Sequence, residues 1–143
     1  KAFMRLFNYI SGENDKSEKI SMTSPVFMHN NKASDSLNED NNDWVMSFIV
    51  PKEYSQDSVP SPQHTNVSLQ ELESKVFAVI RFSGTLDQEL ILKNKNLLTE
   101  YLLSAQLQYK DNEYYVAAYN PPWTLPNFRR NEVLIEVFPE QGK

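Results

Sequence analysis

The apolar residues of this chain recur at two spacings, one typical of helices and one of strands. Four apolar residues near the start share one side of a helix: Phe3, Leu6, Phe7 and Ile10. This spacing predicts a first helix over Phe3–Ser11, ended by Gly12. A longer helix is predicted from Thr85, the N-cap of a capping box with Gln88, to about Ala105. Its expected buried face consists of Leu90, Leu97, Leu98, Tyr101, Leu102 and Ala105.

Alternation of apolar and polar residues predicts six strands between and around these helices. They are Lys19–Phe27, Trp44–Val50, Val67–Leu72, Val76–Phe82, Glu113–Tyr119 and Glu132–Phe138. Polar stretches over Asn30–Asp43 and Lys52–Thr65 predict two mobile loops. Short strands with local connections favour an α+β fold, in which two helices pack on an antiparallel sheet.

The 143 residues favour one domain with a single core, which we assign to residues 1–139, followed by a short tail over 140–143. The first helix starts without a capping residue, so we expect N-terminal strands to be missing from this chain. One further strand before that helix would give two strand-helix-strand-strand halves. We find no secretory leader and no apolar run long enough to span a membrane, and we expect a cytoplasmic protein.

The composition argues against several classes of function. The net charge of −5 repels phosphate backbones, so we expect no nucleic-acid partner. There is no Cys, which excludes disulfides, thiolate metal sites and Cys nucleophiles. His29 and His64 have no metal-ligand companion at a useful spacing, and we expect both in solvated loops. With three Gly and no phosphate-binding or nucleophile motif, the sequence predicts a binding protein rather than an enzyme.

One segment is unusual for an ordinary domain, the Pro-rich loop that precedes the last strand. Asn120–Arg130 places three Pro residues around Trp123, Leu125 and Phe128. Because Pro fixes the backbone, such a loop suits the rigid wall of a ligand cleft. The alternative is that Trp123 anchors a long connection to the core.

Cationic side chains accompany this loop and the first helix. Arg129 and Arg130 could receive ligand carboxylates, although a turn in which they meet solvent or Glu132 is the simpler interpretation. On the first helix, Met4 and Arg5 lie outside the apolar stripe, where they suit a flat apolar ligand with acidic edges.

Three sequence blocks resemble the SOUL haem-binding protein family. They are F-M-R-L-F-N-Y-I-S-G-E-N from Phe3, K-I-S-M-T-S-P-V from Lys19 and Y-N-P-P-W-T-L-P-N-F-R-R-N-E-V from Tyr119. The resemblance implies a distorted antiparallel β-barrel with two helices, built from two strand-helix-strand-strand halves. That architecture is similar to the effector-binding domains of some bacterial transcription regulators. About two strands that relatives carry before the first helix are absent here, together with a His proposed as axial ligand in one branch.

The same resemblance implies non-covalent binding of haem or another tetrapyrrole in a shallow apolar groove, for carriage or buffering, with no secure axial ligand. The residues expected to bind it are Met4, Arg5, Trp123, Leu125, Phe128, Arg129 and Arg130. The alternatives are a sensor or effector-binding module for other planar or cationic small molecules, and a protein-interaction module. A small-molecule hydrolase, as in distant relatives of the fold, has no support in the residues.

Overall fold

The computed structural model describes residues 2–30, 44–111, 113–120 and 123–138. The helices are α1 (Ala2–Ile10) and α2 (Gln88–Ser104). The strands are β1 (Val26–Asn30), β2 (Trp44–Phe48), β3 (Val76–Phe82), β4 (Tyr115–Ala118) and β5 (Asn131–Val137). A 3₁₀ turn over Pro126–Phe128 lies between β4 and β5.

The five strands form one antiparallel sheet in the order β2-β1-β4-β5-β3. The order β3-α2-β4-β5 is strand-helix-strand-strand, and α1-β1-β2 repeats its last three elements. The two parts join where β1 pairs with β4, in a register that sets Val26 opposite Ala118. This confirms the α+β fold. In the described part of the chain the sheet is open, with β2 and β3 at its edges, whereas a barrel requires its edges to pair. The closed barrel is therefore not seen here.

Both helices pack on the same face of the sheet. The larger apolar cluster joins α2 to the central strands through Ile91, Leu98, Leu102, Val116, Val133 and Ile135. A smaller cluster joins α1 to the connections around it through Tyr9, Ile10, Ile20 and Val67, with Phe48 of β2 packed against it. Phe48 and Met28 project to one face of the sheet, and Met28 contacts the larger cluster. Neither helix is both long and apolar enough to span a membrane within the described residues.

Two strand predictions are wrong, each for a definite reason. The strand predicted over Lys19–Phe27 begins only at Val26, because Pro25 has no backbone N–H to donate to a neighbouring strand. The predicted strand Val67–Leu72 is absent. Val67 is buried, but residues 68–75 are exposed, and alternation alone does not make a strand without a partner. The other four predicted strands are present, and Val76–Phe82 has the predicted bounds.

The second helix begins at a different cap from the one predicted. Asp87 rather than Thr85 is the N-cap, since its side chain accepts a hydrogen bond of 2.8 Å from the backbone N–H of Leu90. The buried face is also rotated from the prediction. It consists of Ile91, Asn94, Leu98 and Leu102, whereas Leu97, Tyr101 and Ala105 are exposed. Leucines occur on several sides of this helix, so their spacing could not fix its orientation.

The connections agree with the prediction where they are described. Gly12 follows α1 with a φ of +125°, the conformation expected of a helix-ending glycine. Residues 52–65 form no helix or strand. Residues 31–43, most of the first predicted loop, lie outside the described residues, and the mobility of both loops stays a prediction.

Candidate ligand-binding site

A groove of about 510 Å³ lies between α1 and the segment that follows it. Its lining is Phe7, Ile10, Ser11, Lys19, Ile20, Ser21 and Met22. Phe7 and Met22 are the large exposed apolar side chains of this lining, and Lys19 is its charged residue. The groove therefore offers apolar contact area together with one cation.

The groove keeps its shape because residues 13–20 are fixed to the end of α1. The N–H of Ile20 donates to the carbonyl of Ile10 at 2.7 Å. Asn14, fully buried, donates from Nδ2 to the carbonyls of Tyr9 at 2.9 Å and Glu18 at 2.8 Å. Tyr9 in turn donates its hydroxyl to the carbonyl of Pro60 at 2.6 Å. These bonds position both walls of the groove.

The second apolar surface is the loop that carries Trp123, Leu125 and Phe128. These side chains are 82%, 66% and 75% exposed. Trp123 is therefore not an anchor buried in the core, contrary to the alternative interpretation of this loop. Three large apolar side chains held in solvent within six residues are typical of an interaction surface.

Hydrogen bonds hold this exposed loop in a defined conformation. The carbonyl of Pro126 accepts from the N–H of Gly84 at 2.9 Å, and the N–H of Phe128 donates to the carbonyl of Leu125 at 2.9 Å. Arg129 Nε donates to the carbonyl of Thr124 at 2.7 Å. Gly84 has a φ of +115°, and a Cβ there would lie 2.9 Å from a methyl carbon of Leu90, so this contact point requires glycine.

Arg130 makes the internal contacts that the simpler sequence interpretation predicted. Its guanidinium lies 4.4 Å from the ring centre of Tyr119 and 3.3 Å from a carboxylate oxygen of Glu132. Glu132 is buried. Burial, followed by the hydrogen bond to Glu132, raises the pKa of the Tyr119 hydroxyl above its usual value. The Arg130 side chain remains 44% exposed, so one side of it still faces solvent.

The groove and the loop arise at the same end of the sheet. The groove segment leads into β1 at Val26, which pairs with Ala118, the last residue of β4 before the loop. Neither residues 19–30 nor residues 114–131 contain an Asp or Glu, although the chain has 19 of them. These two segments of an acidic protein are thus apolar and cationic, and Glu132, directly after the second segment, pairs with Arg130.

The residues predicted from sequence fall on these two surfaces. Met4 and Arg5 are exposed on α1, and the other five lie in or beside the loop. That all seven residues bind one ligand stays a prediction. Phe7 and Met22 were not among the predicted binding residues, because helical and strand spacing placed both among buried residues. Their exposure depends on how α1 rotates and on where β1 begins.

Neither histidine lines the α1 groove or belongs to the loop at 123–128. His64 is exposed in the loop over residues 52–65, as expected. His29 is not a solvated loop residue: it lies in β1 on the sheet face opposite Met28, stacked on Tyr115 at 4.9 Å. Its Nε2 is 3.9 Å from a carboxylate oxygen of Glu113. No group of three potential metal-binding His, Cys, Asp or Glu residues occurs in the described ranges.

Ionisable groups around His29 influence one another. Burial favours the neutral form of Glu113, but hydrogen bonds from Lys110 at 2.6 Å and Tyr115 at 3.1 Å outweigh it and lower the pKa of Glu113. Burial and the charge of Glu113 raise the pKa of Tyr115 to about 12. Glu113 and Tyr115 thus have protein partners that account for the direction of their pKa shifts. His29 Nδ1, in contrast, is buried without a hydrogen-bond partner among the described residues.

Comparison with known proteins gives consistent matches over nearly the whole chain. Heme-binding protein 1 of Mus musculus is 30% identical over 134 residues, which cover 93% of this chain and 68% of that protein. Heme-binding protein 2 of Homo sapiens is 30% identical over 131 residues, which cover 92% and 62%. The chain thus spans about two thirds of the length of these relatives. The family model described as SOUL heme-binding protein matches residues 1–136, so the chain belongs to the SOUL haem-binding protein family.

Proposed function

We propose that this protein binds haem or a related tetrapyrrole non-covalently, as a carrier or buffer. The observation that supports this most directly is the apolar end of the sheet, formed by the α1 groove and the loop at 123–128, with Lys19 and Arg130 beside it. A tetrapyrrole with propionate groups is a flat apolar plate with anionic edges, and it requires contact area of this kind together with cations. The names of the relatives point to the same ligand.

In this proposal, the groove and the loop contact the ligand from two sides. Phe7, Met22 and Met4 contact the macrocycle from the α1 side, and Trp123 with its neighbours contacts it from the loop. Arg5 and Arg130 receive the propionates at the solvent edge, where a guanidinium and a carboxylate form strong paired hydrogen bonds. For Arg130, a propionate competes with Glu132, its present partner at 3.3 Å.

The proposed site includes no histidine. Affinity then rests on buried apolar area and on charge pairing, which gives moderate, reversible binding. Such binding suits a protein that takes up and releases its ligand, rather than one that uses haem iron for catalysis. Glu132, a carboxylate beside the proposed site, already pairs with Arg130 at 3.3 Å, which argues against the alternative of an aromatic cation as ligand.

The test is a parallel titration with haemin and protoporphyrin IX, followed by absorbance in the Soret region. We expect both to bind, with dissociation constants within about tenfold of each other, because the iron needs no protein ligand. Trp123→Ala should weaken both by about 1–3 kcal/mol through lost apolar contact.

Control variants show whether a loss of binding comes from the proposed site or from the removal of any exposed apolar side chain. Leu72, which is 74% exposed and lies outside both surfaces, is the control for Trp123, so Leu72→Ala should leave both titrations unchanged. His29→Ala and His64→Ala should also have little effect. If either His substitution abolishes the Soret shift while Trp123→Ala has no effect, the ligand is held by iron coordination elsewhere and the proposed site is wrong.

A further inference from the structure

The loop at 123–128 projects its apolar side chains outward instead of lining a cavity. Residues that wall the α1 groove include buried Ile10 and Ile20, whereas Trp123, Leu125 and Phe128 are all at least 66% exposed. A bound tetrapyrrole covers each residue only on the side that contacts the macrocycle. The proposed function alone therefore leaves much of this apolar area in water.

We propose that this loop docks the protein on the surface of lipid bilayers that contain anionic lipids. The partner is the bilayer itself, with the three apolar side chains inserted at the level of the headgroups. Trp prefers this depth, because its ring is apolar and its indole N–H finds polar partners there. The inference goes beyond tetrapyrrole binding and does not depend on it.

The charge distribution favours an anionic bilayer as the occupant. Arg129 and Arg130 follow the apolar residues directly, and no Asp or Glu occurs from 114 to 131. Glu132 pairs with Arg130 on one side, and the Arg130 side chain remains 44% exposed. With a net charge of −5, the rest of the molecule is repelled by anionic lipid, so attraction is confined to this end. Apolar insertion and adjacent basic residues are the two contributions on which interfacial membrane binding depends.

The hydrogen bonds of the loop at 123–128 keep its apolar side chains exposed for insertion into a bilayer. The bond of Gly84 to Pro126, the 3₁₀ turn and the bond of Arg129 to Thr124 fix the backbone of residues 124–129. The apolar side chains therefore stay presented without a partner, and docking requires little further ordering of the chain. A bilayer adapts to a projecting tip, whereas a protein partner would need a pocket of matching shape.

The test is co-sedimentation of ligand-free protein with large vesicles of phosphatidylcholine, with and without about 30% phosphatidylserine. We expect binding to the anionic vesicles, falling as salt increases, and weaker binding to uncharged ones. In a Trp44→Phe variant, fluorescence reports Trp123 alone and should shift to the blue when vesicles are added. The combined variant Trp123→Ala/Leu125→Ala/Phe128→Ala should bind at least about tenfold more weakly.

The matched control removes similar apolar exposure elsewhere. Leu72, Tyr101 and Leu103 are 74%, 66% and 63% exposed, so replacing all three with Ala should leave vesicle binding unchanged. All six side chains are exposed, and circular dichroism checks that both variants fold. The proposal is overturned if the protein binds neither kind of vesicle or if it binds uncharged vesicles as well as anionic ones. It is also overturned if the two triple variants bind anionic vesicles equally well. Because no tetrapyrrole is present, none of these results bears on the proposed function.

Discussion

At the scale of single residues, Asn14 contributes most to the shape of the α1 groove. Its Nδ2 donates to two carbonyls, and its Oδ1 accepts from the backbone N–H of Lys16 at 3.2 Å and of Glu18 at 3.0 Å. The side chain is fully buried, so water cannot replace these partners. One amide thus supplies partners for four backbone groups around this turn.

We expect Asn14→Ala to lower the free energy of unfolding by about 2–4 kcal/mol, because it leaves several buried backbone groups without partners. Urea denaturation followed by circular dichroism measures this change. The control is Asn96→Ala, at an exposed position of α2, which should change stability by no more than about 0.5 kcal/mol. Equal effects of the two substitutions would show that Asn14 has no such role.

At the scale of elements, the N-cap predicted for α2 from the sequence differs from the N-cap that forms in the structure. Thr85 and Asp87 both belong to the residue types that cap helices, and Thr85 with Gln88 matches the better-known pattern. In the structure Asp87 accepts the hydrogen bond from Leu90. Its carboxylate also lies at the positive end of the helix dipole, which adds a favourable charge interaction.

Asp87→Ala should therefore destabilise the protein by about 1 kcal/mol, whereas Thr85→Ala should change stability by less than about 0.5 kcal/mol. Thermal or urea unfolding of the two variants, compared at the same pH, makes the distinction. A larger loss for Thr85→Ala would mean that the capping box of the sequence prediction forms after all.

Some elements of this fold could be predicted from the sequence, and others could not. Four strands and both helices follow from local periodicity, which depends on neighbouring residues alone. The absent strand at Val67–Leu72 and the exposure of Phe7 depend instead on which surfaces meet in the folded chain. For the site, the loop around Trp123 was visible as an unusual composition, whereas the α1 groove exists only after residues 19–22 fold back on the helix.

At the scale of the whole molecule, the two apolar clusters give each helix its own core. α2 packs on the centre of the sheet, and α1 packs beside β2 on a smaller cluster. The proposed ligand contacts only the α1 groove and the loop. Its binding should therefore stabilise one part of the molecule more than the other.

Hydrogen exchange with and without haemin should detect this difference. We expect added protection in α1, in residues 19–22 and in the loop at 123–128, with little change in the last two turns of α2. The expectation follows because local openings that expose the site are suppressed by ligand, while those confined to the α2 core are not. Uniform protection of both helices would contradict a site confined to the α1 end.

The absence of carboxylates from residues 19–30 and 114–131 of an acidic chain has a consequence for the approach to a partner. Such a molecule is an electric dipole, and a negatively charged target exerts a torque on it before contact is made. Rotation during the approach turns the end with Arg5, Lys19, Arg129 and Arg130 toward the target and the acidic remainder away. A protein with uniformly spread charge would collide in every orientation, whereas this one would arrive with its apolar loop already in front.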